Sequence, residues 1–229
     1  MKPDRIFVVR HGQSMGNIDK NLYKTVPDYA LQLTHLGIEQ AVAVGKNLKK
    51  IIGNDSIKFY VSPLWRTRET YQGIIKNFPK FEKNSENFYE DPRLREQEWC
   101  GKLRKDGFMH EEESERDAYG HFYYRFNGGE SCADVFDRIS GFLDTLHREF
   151  EKKNFPQNCL IITHGMTMRI FLMRFFHLSV EEFETLKNPK NCQLITLALI
   201  KNKYKLISEL ERYKERRHEY QFDWSKDIS

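Results

Sequence analysis

Three short apolar runs, each closed by a polar turn and followed by a helical period, constrain this chain more than any other feature. Ile6-Phe7-Val8-Val9 runs into Arg10-His11-Gly12, Ile57 to Val61 into Ser62-Pro63, and Leu160-Ile161-Ile162 into Thr163-His164-Gly165. A strand covered by helices on both faces needs such continuous apolar runs, whereas a half-exposed strand alternates. The pattern therefore predicts parallel βα units, that is, an α/β fold built as a three-layer α/β/α sandwich around a mostly parallel central sheet.

Helix signals fill the spaces between the runs. Thr34 caps a helix whose stripe of Ala41, Val44, Leu48 and Ile51 ends at Gly53. Ser62 is read as the cap of a second helix, with Pro63 in its first turn. A third runs from about Ser131 to Lys153 with Val135, Ile139, Phe142, Leu146 and Phe150 on one face. Gln193 to Ile200 reads as the last strand, followed by Lys203 to Ser208. Between Phe88 and Gly129 the periods dissolve into mixed charges and aromatics, as expected of an insertion folding over the sheet. From Glu209 the chain is compatible with a helix but almost wholly charged, a solvated terminal helix or tail. The domain reading is thus a catalytic unit over 1–208, with an insertion at about 88–129, and a charged tail over 209–229.

Composition excludes several classes. The 229 residues suit one sizeable domain, and the net charge of +4 comes from interleaved signs without a basic stripe, against nucleic acid as the main partner. Cys100, Cys132, Cys159 and Cys192 form no C-x-x-C pair and are read as free thiols. Ile6 to Val9 is too short for a signal-peptide core, and no run approaches the roughly 18 apolar residues of a membrane span. These absences point to a cytoplasmic chain with no membrane span.

In open α/β sheets ligands bind beyond the carboxyl ends of the strands. Arg10, His11 and His164 follow two of the runs directly and Arg66 follows the third at the start of its helix. Two histidines and two arginines on one rim suit a dianionic phosphoryl group, because guanidinium forks make bidentate, charge-assisted bonds to its oxygens. Gly12 and Gly165 would let the backbone turn sharply and approach a ligand closely. Gln13 to Asn17 reads as the opening of a helix whose N–H groups can also face phosphate.

Taken in order, Arg10-His11-Gly12-Gln13-Ser14 with Asn17, then Ser62-Pro63-Leu64-Trp65-Arg66-Thr67, then Thr163-His164-Gly165 resemble the histidine phosphatase superfamily in its phosphoglycerate mutase-like branch. Leu94-Arg95-Glu96-Gln97-Glu98-Trp99 resembles the segment carrying that family's proton donor, and Gly128-Gly129-Glu130-Ser131 its loop before a long helix. The resemblance covers about Arg5 to Ile200. It implies a phosphoglycerate mutase-like fold, His11 as the nucleophile that becomes phosphohistidine, Glu96 as general acid and base, and His164 as a donor to the transferring phosphoryl oxygens. Arg10, Asn17 and Arg66 would hold those oxygens, with no metal and no cofactor. Among family members the Arg95 to Trp99 and Gly120 to Phe126 segments look most like fungal and plant mutase-like proteins of broad phosphatase activity.

The chemistry agrees with first principles. A neutral imidazole is nucleophilic near neutral pH, and passing the phosphoryl group through His11 splits one hard step into two. Tyr23 to Tyr29 and Gln97-Glu98-Trp99 depart from the mutase pattern, which favours hydrolysis of a phosphate monoester. Mutase-type transfer and a non-catalytic module binding a phosphoprotein are the alternatives. The expected partner is a small phosphorylated metabolite or a phosphoprotein, with Arg93, Arg95, Lys102, Arg104, Tyr119, Tyr123 and Arg125 as candidate pocket walls. Glu130 is read as a charge at a helix N-terminus and Arg68 as structural.

Overall fold

A computed structural model describes residues 2–82, 85–100, 110–208 and 210–213, without the side chains of 82, 85, 110 and 111. In chain order the elements are β1 (Arg5–Arg10), α1 (Met15–Ile18), α2 (His35–Ile52), β2 (Ile57–Val61), α3 (Trp65–Ile75), α4 (Pro79–Glu82) and β3 (Phe88–Glu90). There follow α5 (His110–Tyr119), α6 (Cys132–Phe150), β4 (Asn158–Thr163), α7 (Gly165–Phe176), α8 (Val180–Thr185), β5 (Leu194–Ile200) and β6 (Lys203–Leu206). Among the described residues the strands form one six-stranded sheet in the order β3-β2-β4-β1-β5-β6. The first three pairings are parallel, while β5 and β6 close the far edge antiparallel.

The apolar runs work as expected of strands buried on both faces. Ile6, Val8, Tyr60, Cys159 and Ile161 face one core with α6 and α7, and Phe7, Val9, Phe59, Leu160 and Ile162 face the other with α2 and α3. Alternation of side chains across the pleat assigns each run to two cores at once, which gives the three layers. In α2 the buried apolar side chains are Ala41, Val44, Leu48 and Ile52, while Ile51 is 46% exposed. The 3.6-residue period carries the stripe from 48 to 52, so the apolar face ends one residue later than expected. Thr34 does cap this helix, accepting from Gly37 N at 3.0 Å, and Gly53 ends it at φ 61°.

Register brings the loops of three strands together. Arg10 lies opposite Thr163 and Val61 opposite Ile162, so His11, His164 and Ser62 leave the sheet at one rim. His11 N bonds Thr163 O at 2.9 Å and Ser62 N bonds Ile162 O at 3.0 Å, extending the ladder one step past each strand.

Three expectations are corrected. α3 begins at Trp65 with Leu64 as its N-cap, because the Ser62 hydroxyl is fully buried and bonded elsewhere. Phe88–Glu90 pairs parallel with β2, so the sheet continues into the segment expected as insertion. In the tail, Leu210 is buried and Arg212 bridges to Leu186, so residues 210–213 lie extended against the body. The remainder of the tail, 209 and 214–229, and the pocket candidates Lys102 and Arg104 lie outside the described residues. Among the described residues no helix is long and apolar enough to cross a membrane.

Candidate active site

His11 is 3% exposed, and its ring centroid lies 5.2 Å from that of His164. Its Nδ1 stands 2.7 Å from Gly12 O, and since a carbonyl can only accept, Nδ1 carries the proton. The lone pair of the neutral ring is therefore at Nε2. Burial, followed by the cationic Arg66 and Arg10, holds the His11 pKa well below its usual value. The same causes, burial first and Arg66 second, keep His164 neutral.

The two arginines differ in what they have left to offer. Arg10 spends Nη1 on Pro189 O at 2.5 Å, while its buried Nε has no hydrogen-bond partner among the described residues. Arg66 is 4% exposed and heavily committed. It donates from Nε to His164 Nδ1 at 3.3 Å, from Nη1 to Asp28 O and Oδ1 at 2.8 and 3.1 Å, and from Nη2 to Asp28 Oδ2 at 3.1 Å. Asp28 thus fills the fork that the sequence assigns to phosphate. Nothing in a single Pro27-Asp28 pair signals this; it follows from the path of the chain between α1 and α2.

His164, expected to donate to the phosphoryl oxygens, is bonded at both ring nitrogens to protein groups. Its Nδ1 accepts from Arg66, so the neutral ring presents Nε2–H, which donates to Ser62 Oγ at 2.8 Å. Both nitrogens are engaged inside the protein, and donation from Nδ1 to a phosphoryl oxygen would require protonation of the ring. Ser62, read as a helix cap, is instead the partner that fixes this tautomer.

Most of the N–H groups expected to form an anion cradle from Gln13 to Asn17, and that of Gly12 before them, are given to protein acceptors. Gly12 N donates to Thr70 Oγ1 at 3.1 Å, Gln13 N to Gln40 Oε1 at 2.9 Å, Ser14 N to Asn17 Oδ1 at 3.0 Å, and Met15 N to Gln32 O at 2.8 Å. Asn17 itself is exposed, and its Oδ1 also accepts from Asn191 Nδ2 at 3.0 Å, which leaves its own amide donors for a ligand. Gly12 and Gly165 serve close approach within the protein, with no left-handed turn at either. A Cβ on Gly12 would overlap Gly37 O at the start of α2, and one on Gly165 would overlap Asn188 Oδ1.

Glu96 lies in the irregular segment after Leu94, with its carboxylate at the N-terminus of α7. It accepts from Met166 N at 3.3 Å, Thr167 N at 3.2 Å, Thr167 Oγ1 at 3.3 Å and Gln97 N at 3.0 Å. Glu98 turns away, accepting from Cys100 N at 3.3 Å. Beside Glu96 is a cavity of about 190 Å³ lined also by Trp99, Arg116, His121, Arg169 and Tyr213.

The pocket wall differs from the expected one. Arg93 pairs with Asp91, Arg95 with Glu130 and Arg125 with Asp134, and Tyr119 and Tyr123 line an open surface hollow that contains none of the candidate site residues. Arg116 and Arg169 take their place. Arg169 is buried on α7, where sequence reading sees only an apolar helix interrupted by one charge. Arg68 is structural as expected, forked onto Glu90 of β3 at 2.7 Å twice. Glu130 is more than a dipole charge, since its carboxylate binds Arg95 and Arg138.

Comparison with known proteins places the chain in a family. The chain is 39% identical over 209 residues to phosphoglycerate mutase-like protein AT74 of Arabidopsis thaliana, an alignment covering 86% of this chain. It spans 65% of that relative's length. It is 26% identical over 304 residues to the broad-range acid phosphatase DET1 of Saccharomyces cerevisiae, covering 93% and 91% of the two chains. The fold matches a mycobacterial glucosyl-3-phosphoglycerate phosphatase with TM-score 0.70 at 19% identity, covering 91% of this chain and 99% of that one. A family profile described as histidine phosphatase superfamily (branch 1) matches residues 6–210. Strand-end histidines, two arginines and a profile spanning nearly the whole described fold agree, and the chain belongs to the histidine phosphatase superfamily.

Proposed function

We propose that this chain is a phosphoric monoester hydrolase acting through a phosphohistidine on His11, with Glu96 as the proton donor and acceptor. The observation that carries the reading is the His11 tautomer. Nδ1–H is tied to Gly12 O, so Nε2 keeps its lone pair, and two cations beside a buried ring oppose its protonation.

In the first step Nε2 of His11 attacks phosphorus and the bond to the ester oxygen breaks. Glu96 gives its proton to that oxygen, which leaves as an alcohol. In the second step water attacks the phosphohistidine, Glu96 takes a proton from it, the N–P bond breaks, and inorganic phosphate departs. Both groups return to their starting states. Charge on the phosphoryl oxygens is met by Arg10, by Arg66 once its fork is released from Asp28, and by the Asn17 amide. His164 and Ser62 hold Arg66 at its Nε.

The leaving group would occupy the cavity beside Glu96. Its volume of about 190 Å³ equals roughly six waters at about 30 Å³ each, room for a small metabolite. Arg116 and Arg169, set against Glu184 in the same wall, favour a polar leaving group over a hydrocarbon one.

The test is phosphate release from a panel of phosphorylated metabolites, with chelator present and with labelling of the enzyme quenched in alkaline detergent. Label that is acid-labile and base-stable, and that disappears in His11→Ala, is expected. Hydrolysis that survives His11→Ala, or that chelator abolishes, would overturn the mechanism. Phosphoryl transfer to a second metabolite in place of water would favour the mutase reading.

A further inference from the structure

The segment that carries Glu96 has no ladder of its own. Between the turn Pro92–Leu94 and Cys100 the backbone is irregular, so side chains from elsewhere must satisfy its carbonyls. Four consecutive carbonyls are held in this way. Arg93 O accepts from Arg138 Nη1 at 2.5 Å, Leu94 O from Thr163 Oγ1 at 2.8 Å, and Arg95 O from Arg138 Nη1 at 2.9 Å and Thr167 Oγ1 at 2.6 Å. Glu96 O accepts from Arg138 Nη2 at 3.2 Å.

Arg138 lies on α6 with its side chain 10% exposed. A guanidinium has five N–H donors, and all five are committed here. Three go to the carbonyls of 93, 95 and 96, and two to Glu130, from Nε and Nη2 at 3.1 Å each. Glu130 is 14% exposed and accepts in turn from Arg95 Nη2 and from Glu98 N at 3.0 Å. Its backbone joins the same clamp: Glu130 N donates to Glu98 O at 2.7 Å, and Glu130 O accepts from Gln97 Nε2 at 2.8 Å. The pair therefore grips the proton-donor segment on both sides of Glu96 and touches none of His11, Arg10 or Arg66.

We infer that Arg138 and Glu130 are positioning residues for the Glu96 carboxyl, holding it within reach of the leaving oxygen. The inference rests on Glu96 being the proton donor. Protonation of the leaving group matters greatly for an alkoxide and little for a nitrophenolate, so a misplaced donor has a signature that general loosening lacks.

The experiment measures kcat/KM for glycerol phosphate, phenyl phosphate and p-nitrophenyl phosphate with wild type, Glu96→Gln, Glu130→Gln, Arg138→Lys and Arg138→Met. Inhibition by inorganic phosphate and thermal melting are followed in parallel. Glu130→Gln and Arg138→Met are expected to lose about 10- to 100-fold with glycerol phosphate and less than about threefold with p-nitrophenyl phosphate. Arg138→Lys should fall between, and phosphate inhibition should stay within about twofold of wild type. A leaving-group-dependent loss in Glu96→Gln with equal losses across substrates in the Glu130 and Arg138 variants would overturn the positioning role alone. Equal losses across substrates in Glu96→Gln would overturn the donor assignment, and the positioning role with it. If Arg138→Met does not fold, Glu130→Gln and Arg138→Lys decide by the same ratios.

Discussion

Replacing Asp28 by asparagine should tighten the binding of inorganic phosphate. In the structure the Asp28 carboxylate takes one bond from each terminal nitrogen of Arg66, at 3.1 Å each, and the Asp28 carbonyl takes a third at 2.8 Å. A dianion needing that fork must displace the carboxylate or tolerate it alongside. Asparagine keeps the backbone bond and the side-chain shape but removes the charge. Bonds to a charged partner are worth about 1.5–3 kcal/mol against about 0.5–1.5 for neutral ones; asparagine keeps one weakened bond at Oδ1 and loses the other, because its Nδ2 cannot accept, so Asp28 loses at least about 2 kcal/mol as a competitor. The Asp28 side chain is 28% exposed, and screening reduces this to about 1 kcal/mol, or about a fivefold gain in phosphate affinity. The assay is competitive inhibition by phosphate, with direct calorimetry as a check. Weaker phosphate binding in Asp28→Asn would refute the reasoning, because the carboxylate would then be an orienting partner of Arg66 and not its competitor.

Other outcomes follow from the same contacts. Gly165→Ala puts a methyl group into Asn188, next to the Pro189 carbonyl that anchors Arg10, and should cost about 1–3 kcal/mol in thermal or denaturant unfolding while raising KM. Phe142→Ala removes a fully buried ring packed edge-on against Tyr60 and under Arg93, and a loss of roughly 3–5 kcal/mol in chemical denaturation is expected. Burial and neighbouring arginines lower His11, His164 and His121, the last from 6.5 to about 4. The folded state then binds fewer protons than the unfolded chain below about pH 6.5, so stability should hold above that pH and fall as pH drops toward about 4. Melting followed from pH 8 to pH 4 checks this, and His121→Gln should flatten part of the decline.

The apolar runs, the cap at Thr34 and the stripe of α6 are legible in the sequence because each is a local period or a local hydrogen bond. The same holds for His11 and His164, since a polar residue directly after a buried strand has only the rim of the sheet to occupy. What those residues bond to is decided elsewhere. Ser62 turns to His164, Asp28 closes on Arg66, Arg138 reaches back to the carbonyls around Glu96, and Arg169 lines the cavity, across separations of 102, 38, 42 and 73 residues. No local period encodes such meetings. They arise when parallel strands in fixed register bring distant loops to one rim, where each buried donor and acceptor must find a partner among the groups that the fold delivers there.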